Sequence, residues 1–215
     1  MQATSLINIQ ETFISIQGES TFAGELCFFI RLAGCSLRCS YCDTKYAYGS
    51  GTQISIPELV EMALDAQATI VEITGGEPLE QINTPLLAQA LLNEGLLVLV
   101  ETAGSEDIRI LPEGVIRIMD IKTPGSGEEE SLYLENLAAL TETDEVKFVI
   151  TNRKDYLWAK EFYIKTDFPC QVLFSPSWGE ESAKELAAWI IEDRLPVRLG
   201  LQLQKYIWGP EEQGV

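Results

Sequence analysis

Three of the five cysteines fall within eight residues, in the run Gly34-Cys35-Ser36-Leu37-Arg38-Cys39-Ser40-Tyr41-Cys42-Asp43-Thr44. Their spacing, C-x3-C-x2-C, gathers three soft ligands on one loop, and thiolates suit iron–sulfur clusters and zinc alike. Spacers this short let three sulfurs converge on three corners of a 4Fe–4S cubane. Electron-transfer clusters take four cysteines, one per iron, so three local ligands would leave one iron with an open position. An open position is what separates catalytic metal centres from structural ones. The other outcome is a non-catalytic zinc site or a fully ligated cluster. It would be completed by Cys27, in an apolar strand-like segment, or by Cys170, at the start of another. Buried free cysteine is common enough that neither has to be a ligand. The chain has no histidine, which removes Ser-His-Asp and Cys-His catalysis and every His-ligated zinc site.

The elements that must hold such a loop alternate between strand and helix. Leu26–Leu32 reads as a strand, with Cys27, Phe29 and Arg31 on one face and Phe28, Ile30 and Leu32 on the other. Arg31 therefore points inward. An inward arginine most often sits in a structural ion pair, although a bidentate grip on a carboxylate uses the same geometry. Thr69–Thr74 is an apolar, β-branched strand followed at once by the turn Gly75-Gly76-Glu77-Pro78. Ser55 with Glu58 forms a capping box ahead of one helix, and Thr84 caps a second with Pro85 at its first position. Further strands are expected at Leu96–Glu101, Val115–Ile121, Glu145–Ile150, Val172–Phe174 and Val197–Leu203, and helices at Leu132–Leu140, Tyr156–Ile164 and Ala183–Ile191. Repeated β–α units imply an α/β protein with a mainly parallel sheet of about six strands. A full eight-fold barrel takes ~250 residues, so 215 residues fit a partial, open β/α barrel better, in one domain over 1–215 with short extensions at both ends. In such folds the functional loops lie at the C-terminal ends of the strands, where the cysteine loop and the Gly75–Pro78 turn both fall.

Two such motifs after consecutive strands resemble the radical S-adenosylmethionine (SAM) superfamily, whose GGEP turn meets the SAM amino group through its backbone. Further segments are Phe13-Ile14-Ser15-Ile16-Gln17-Gly18-Glu19, Phe29–Cys35, Cys42-Asp43-Thr44-Lys45-Tyr46-Ala47 and Leu201-Gln202-Leu203-Gln204-Lys205. In this order the chain is similar to the 7-carboxy-7-deazaguanine synthases from about residue 10 to residue 209. Another small radical SAM enzyme, such as a glycyl-radical activase, would share the cysteine loop without needing the other segments together.

The resemblance implies a radical SAM lyase of queuosine and deazapurine biosynthesis. It would convert 6-carboxy-5,6,7,8-tetrahydropterin to 7-carboxy-7-deazaguanine and ammonia. A 4Fe–4S cluster on Cys35, Cys39 and Cys42 would chelate SAM, and a 5′-deoxyadenosyl radical would take hydrogen from pterin C6, drive the ring contraction and be regenerated. Mg²⁺ would sit at Thr44. SAM would be held by Tyr41, Asp43, Gly76, Asp120, Ile121 and Lys122, and the substrate by Ile16, Gln17, Gly18, Arg31, Thr74 and Gln204. The same likeness implies a one-electron donor such as flavodoxin or ferredoxin, and a homodimer. The chain departs from the family pattern at four positions: Ser20 for a frequent Gly, Tyr41 for Trp, Ala103 for Asn and Gln204 for His. Gln can hydrogen-bond a ring edge but cannot carry a proton as an imidazolium does.

Charge and composition narrow the partners. Thirty-three acidic residues against fifteen basic ones give a formal net charge of −18. A field of that sign repels phosphate backbones and anionic lipids, so neither nucleic acid nor a membrane is an expected partner. Glu128–Glu130, after Gly125–Gly127, reads as a solvated loop. The longest apolar run, Gly95–Val100, is strand-sized, and Met1–Thr4 open no export signal, so a cytoplasmic location is expected.

Overall fold

Alternation of side chains along each strand gives the sheet two unlike faces, and that difference organises the molecule. The computed structural model describes residues 5–215; Met1–Thr4, where no export signal was expected, lie outside them. Nine strands form one sheet: β1 (Leu6–Ile16), β2 (Leu26–Leu32), β3 (Thr52–Ser55), β4 (Ile70–Gly75), β5 (Leu97–Thr102), β6 (Ile116–Asp120), β7 (Glu145–Ile150), β8 (Gln171–Pro176) and β9 (Arg198–Leu199). Their order is β3-β1-β2-β4-β5-β6-β7-β8-β9. From β2 onward every pairing is parallel, whereas β1 runs antiparallel to both β2 and β3. The sheet ends in a four-residue strand on one side and a two-residue strand on the other. Edges that short offer little to pair with another chain.

The expected count of about six strands is corrected to nine. The largest addition is β1, whose Asn8, Gln10, Glu11 and Thr12 break the apolar signal. It is held by pairing with β2, Phe13 opposite Phe29 and Glu11 opposite Arg31, and by the stacked rings of Phe13 and Phe29, 4.9 Å apart.

Helices α1 (Ile56–Asp65), α2 (Thr84–Asn93), α3 (Arg153–Lys165) and α4 (Ala183–Asp193) cover the outer face. Ser55 caps α1 by accepting the Glu58 N–H, as the capping box predicts. The cap of α2 is Asn83 rather than Thr84, because the Thr84 hydroxyl donates to the Pro78 carbonyl at 2.6 Å. Ile30, Ile73, Val98, Val100 and Phe148 point outward into a core with Leu59, Leu87, Leu91, Tyr156 and Leu186 of the helices. Full burial of each large side chain contributes about 1.5–3 kcal/mol. None of the described helices is long and apolar enough to cross a membrane.

Two elements differ from expectation. Leu132–Leu140 is not an α-helix but a short 3₁₀ turn over Leu134–Ala139. Its buried Asn136 donates to the carbonyls of Gly104 and Glu106 and accepts the Ile108 N–H, tying down the β5–β6 connection. Val197–Leu203 is a strand only at Arg198–Leu199. The chain then bends at Gly200, donates the Leu203 N–H to the Gly18 carbonyl at 2.9 Å, and forms a short helix α5 (Leu203–Ile207).

Candidate active site

The inner face is layered. Near the N-terminal ends of the strands, Cys27, Phe29, Ile70, Leu99 and Ile118 make a small apolar cluster. Towards the C-terminal ends the inward positions turn polar: Arg31 on β2, Glu72 and Thr74 on β4, Glu101 on β5, Asp120 on β6 and Lys147 on β7. These residues line a cavity of ≈ 400 Å³, with the cysteine loop on its rim.

The loop is braced from several sides. The Gly34 N–H reaches the Ala47 carbonyl at 2.7 Å, and Arg38 donates to the carbonyls of Cys35 and Leu37. Ser40 donates its N–H to the Ser126 carbonyl and its hydroxyl to that of Gly125. Glu128 accepts the Arg38 N–H at 2.6 Å. Glu128, expected to lie in a solvated loop, thus backs the cysteine loop, while Glu129 and Glu130 are exposed.

Cys35, Cys39 and Cys42 all face the cavity. Burial pushes the Cys35 thiol up to about 11 and, although the Lys122 charge opposes it, also raises Cys39. Cys27 lies eight residues before Cys35, fully buried at the far end of β2, and Cys170 borders a different cavity beside Phe168 and Pro196. At ~3.3 Å per residue, the length of β2 keeps Cys27 away from the loop. Neither cysteine stands where it could complete a fourth corner, which counts against the four-cysteine and zinc readings. Among the described residues, no three His, Cys, Asp or Glu side chains are gathered around one point closely enough for a single ion. A cubane needs no such convergence, since each thiolate takes its own iron.

The Gly75–Pro78 turn packs directly on this loop. Gly76 donates to the Leu32 carbonyl at 3.0 Å and Glu77 to the Gly34 carbonyl at 2.9 Å. A Cβ on Gly76 would stand 1.7 Å from the Gly34 oxygen, so only glycine permits the approach. The buried Glu77 carboxylate accepts from Leu79 N–H, the Thr102 hydroxyl and Ala103 N–H, joining the ends of β4 and β5. The Ala103 position therefore contributes its backbone, which an Asn-to-Ala change leaves intact.

Every site residue that the family resemblance implied lines this cavity except Ile121. Its side chain is fully buried in the outer core, which leaves only its backbone towards the site. Lys122 pairs with Asp120 at 2.8 Å and lies 5.9 Å from the centre of the Tyr41 ring. The Tyr41 hydroxyl and Asp120 Oδ1 are buried without a partner among the described residues, an arrangement a polar ligand would satisfy.

Arg31 sits in an ion pair, the first of the two geometries its inward position allows. Its Nε pairs with Glu11 at 2.8 Å, and Glu11 also accepts the Tyr46 hydroxyl. No hydrogen bond to the described residues engages the two terminal nitrogens, which stay available for a carboxylate. Thr74 donates to Glu101 at 3.0 Å. Gly18 meets Gln204 rather than open space: a Cβ there would be 1.8 Å from the Gln204 amide oxygen. Gln204 donates to Glu19 at 3.2 Å, and its own oxygen is buried without a partner among the described residues. Thr44 donates its hydroxyl to Asp43, which pairs with Lys205 at 2.6 Å. With its proton committed, the Thr44 oxygen has only lone pairs left for a cation. Ser20, in place of a frequent glycine, adopts φ 60° and offsets that strained conformation by accepting the Phe22 N–H.

Sequence reasoning missed the polar floor. Lys147 is buried between Glu19 and Glu101, with Asp120 3.8 Å away. Burial opposes its charge, but the surrounding carboxylates hold its pKa well above the ordinary lysine range. Glu72 is buried beneath Gln17 and accepts a hydrogen bond from that amide. The available signal was a charged residue inside an apolar strand, Glu72 in IVEITG and Lys147 in EVKFVI, at a position facing inward.

Comparison with known proteins agrees with this geometry. Residues 29–121 match the radical SAM superfamily. The 7-carboxy-7-deazaguanine synthase of Chlorobaculum tepidum is 44% identical over the full length of both chains. That of Koribacter versatilis is 41% identical, covering 97% of this chain and all of its own. The crystal structure of QueE from Escherichia coli superposes with a TM-score of 0.76 at 22% identity, over 92% of this chain and 94% of that one, which shows a shared fold.

Proposed function

We infer the reaction from one premise: this chain belongs to the 7-carboxy-7-deazaguanine synthase family of radical SAM enzymes. The proposed activity is conversion of 6-carboxy-5,6,7,8-tetrahydropterin to 7-carboxy-7-deazaguanine with loss of ammonia. The observation that carries it is one cavity holding three thiols and the Gly76 turn on its rim and Arg31, Gln17 and Thr74 on its wall.

The residues present fit the cofactors. Cys35, Cys39 and Cys42 would hold the 4Fe–4S cluster. The Gly76 turn, Tyr41, Asp120 and Lys122 would hold SAM, with the unpartnered oxygens of Tyr41 and Asp120 finding polar atoms on it. When bound, cluster and SAM supply a carbon radical able to abstract hydrogen; the chain's own residues bind, orient and shield. Arg31 takes the substrate carboxylate through its terminal nitrogens. Gln17 and Thr74 face the ring. Gln204 offers its free amide oxygen as an acceptor, a role that needs no proton transfer, so the exchange for His alters recognition more than chemistry. Thr44 serves as a single hydroxyl ligand for Mg²⁺, which typically keeps most of its shell as water and substrate oxygens. A flavodoxin- or ferredoxin-type donor, a homodimer, a single domain and a cytoplasmic location complete the reading, supported by the family likeness and the absence of any membrane-length helix among the described residues.

The test is an anaerobic assay of reconstituted protein with SAM, dithionite, Mg²⁺ and the carboxytetrahydropterin. The expected result is deazapurine without stoichiometric consumption of SAM. Reduced, cluster-loaded protein that cleaves SAM yet yields no deazapurine would refute the reading.

A further inference from the structure

Glu72 is out of place in its strand. β4 is otherwise Ile, Val, Ile, Thr and Gly, and Glu72 faces Phe29 and Leu99 across the inner face with 4% of its surface exposed. Among the described residues its carboxyl has one hydrogen-bond partner, the Gln17 side-chain amide. Gln17 is fixed from the other end as well, because its Oε1 accepts the Glu19 backbone N–H at 3.0 Å. A backbone N–H can only donate, so that contact dictates which end of the amide is oxygen, and Glu72 then takes the NH₂ end. The amide retains one N–H and one lone pair, a donor–acceptor pair on a fixed plane.

An acid here is costly. Burial first, and then the nearby Glu101 and Glu19 carboxylates, push its pKa well above the ordinary carboxylate range, against the opposing effects of Gln17 and Lys147. Apolar packing with Phe29 and Leu99 would serve stability better, so stability does not account for the residue. We propose that Glu72 is a positioning residue for substrate recognition, holding the Gln17 amide in the orientation that reads the ring. This rests on the proposed reading that the pterin lies against Gln17.

The test compares Glu72→Val, Glu72→Gln and Gln17→Ala, singly and as the Glu72→Val/Gln17→Ala pair. Substrate affinity is measured by calorimetry on cluster-loaded, SAM-bound protein, alongside KM, kcat and Tm. Glu72→Val should weaken binding and raise KM about fivefold to tenfold, the scale of one hydrogen bond, with kcat nearly unchanged and Tm equal or higher. Glu72→Gln can still accept from Gln17 and should stay within about twofold of wild type. In the Gln17→Ala background, Glu72→Val should add nothing. Unchanged affinity in Glu72→Val, a Gln variant as weak as the Val variant, or a full additional loss without Gln17 would each overturn the assignment. Wild-type protein with no affinity for the pterin would instead remove the substrate reading, and the assignment with it.

Discussion

Replacing Gly76 by alanine should separate cluster assembly from SAM chemistry. The new Cβ would lie 1.7 Å from the Gly34 carbonyl oxygen and 3.2 Å from Cys35 Cβ. That is about half of an ordinary ~3.5 Å contact, so the turn and the loop must part by more than ~1 Å. The movement breaks the Glu77 N–H bond to Gly34 and strains that of Gly76 to Leu32, at about 1 kcal/mol each. The larger effect is geometric: a displacement of about 1 Å of positioning groups costs on the order of 100-fold in rate. Iron content should stay near wild type, since the three thiols all lie on the loop itself. The assay is anaerobic formation of 5′-deoxyadenosine, with EPR of the reduced cluster before and after SAM is added. Gly49→Ala is the control, because a Cβ there meets nothing within 4 Å and its φ of −72° suits any residue. Wild-type-like cleavage of SAM by Gly76→Ala would refute the reasoning, since nothing else relieves the clash.

Three further outcomes follow from the same geometry. Replacing both Cys27 and Cys170 by alanine should leave iron and sulfide content unchanged; loss of the cluster, or recovery of zinc, would show that one of them is a ligand after all. Arg31→Ala should lower kcat/KM for the pterin about 10- to 100-fold, the scale of a charge-assisted pair, while the cluster and slow uncoupled SAM cleavage persist. Loss of iron in that variant would make Arg31 structural. Burial raises the Cys35 thiol to about 11 and raises Cys39 as well, so both are protonated at pH 7. Iron takes only the thiolate, so assembly must release protons and strengthen as pH rises from ~7 to ~9. Proton release on reconstitution in weak buffer checks the sign, and tighter assembly at the lower pH would contradict it.

Much of the site was legible because its chemistry is local in the chain. Three thiols on one loop, two glycines in one turn and Arg31 in phase with Cys27 and Phe29 along a strand need only short-range geometry, and all of them line one cavity. The period-two pattern likewise predicted which face of β2 points outward. Between Asp120 and Lys122 the same alternation sends the Ile121 side chain into the outer core, leaving only its backbone towards the site. What only the tertiary structure decided are contacts between residues far apart in the chain. Gln204 meets Gly18 and Glu19, Lys205 meets Asp43, and Glu128 meets Arg38. Lys147, Glu101 and Glu72 each look like an isolated charge in an apolar strand, and Glu19 like an ordinary polar loop residue. They become one polar floor only when the parallel sheet curls and brings four separate segments to the same depth. Desolvation and pairing depend on what surrounds a group in space, and periodicity along the chain carries no information about that.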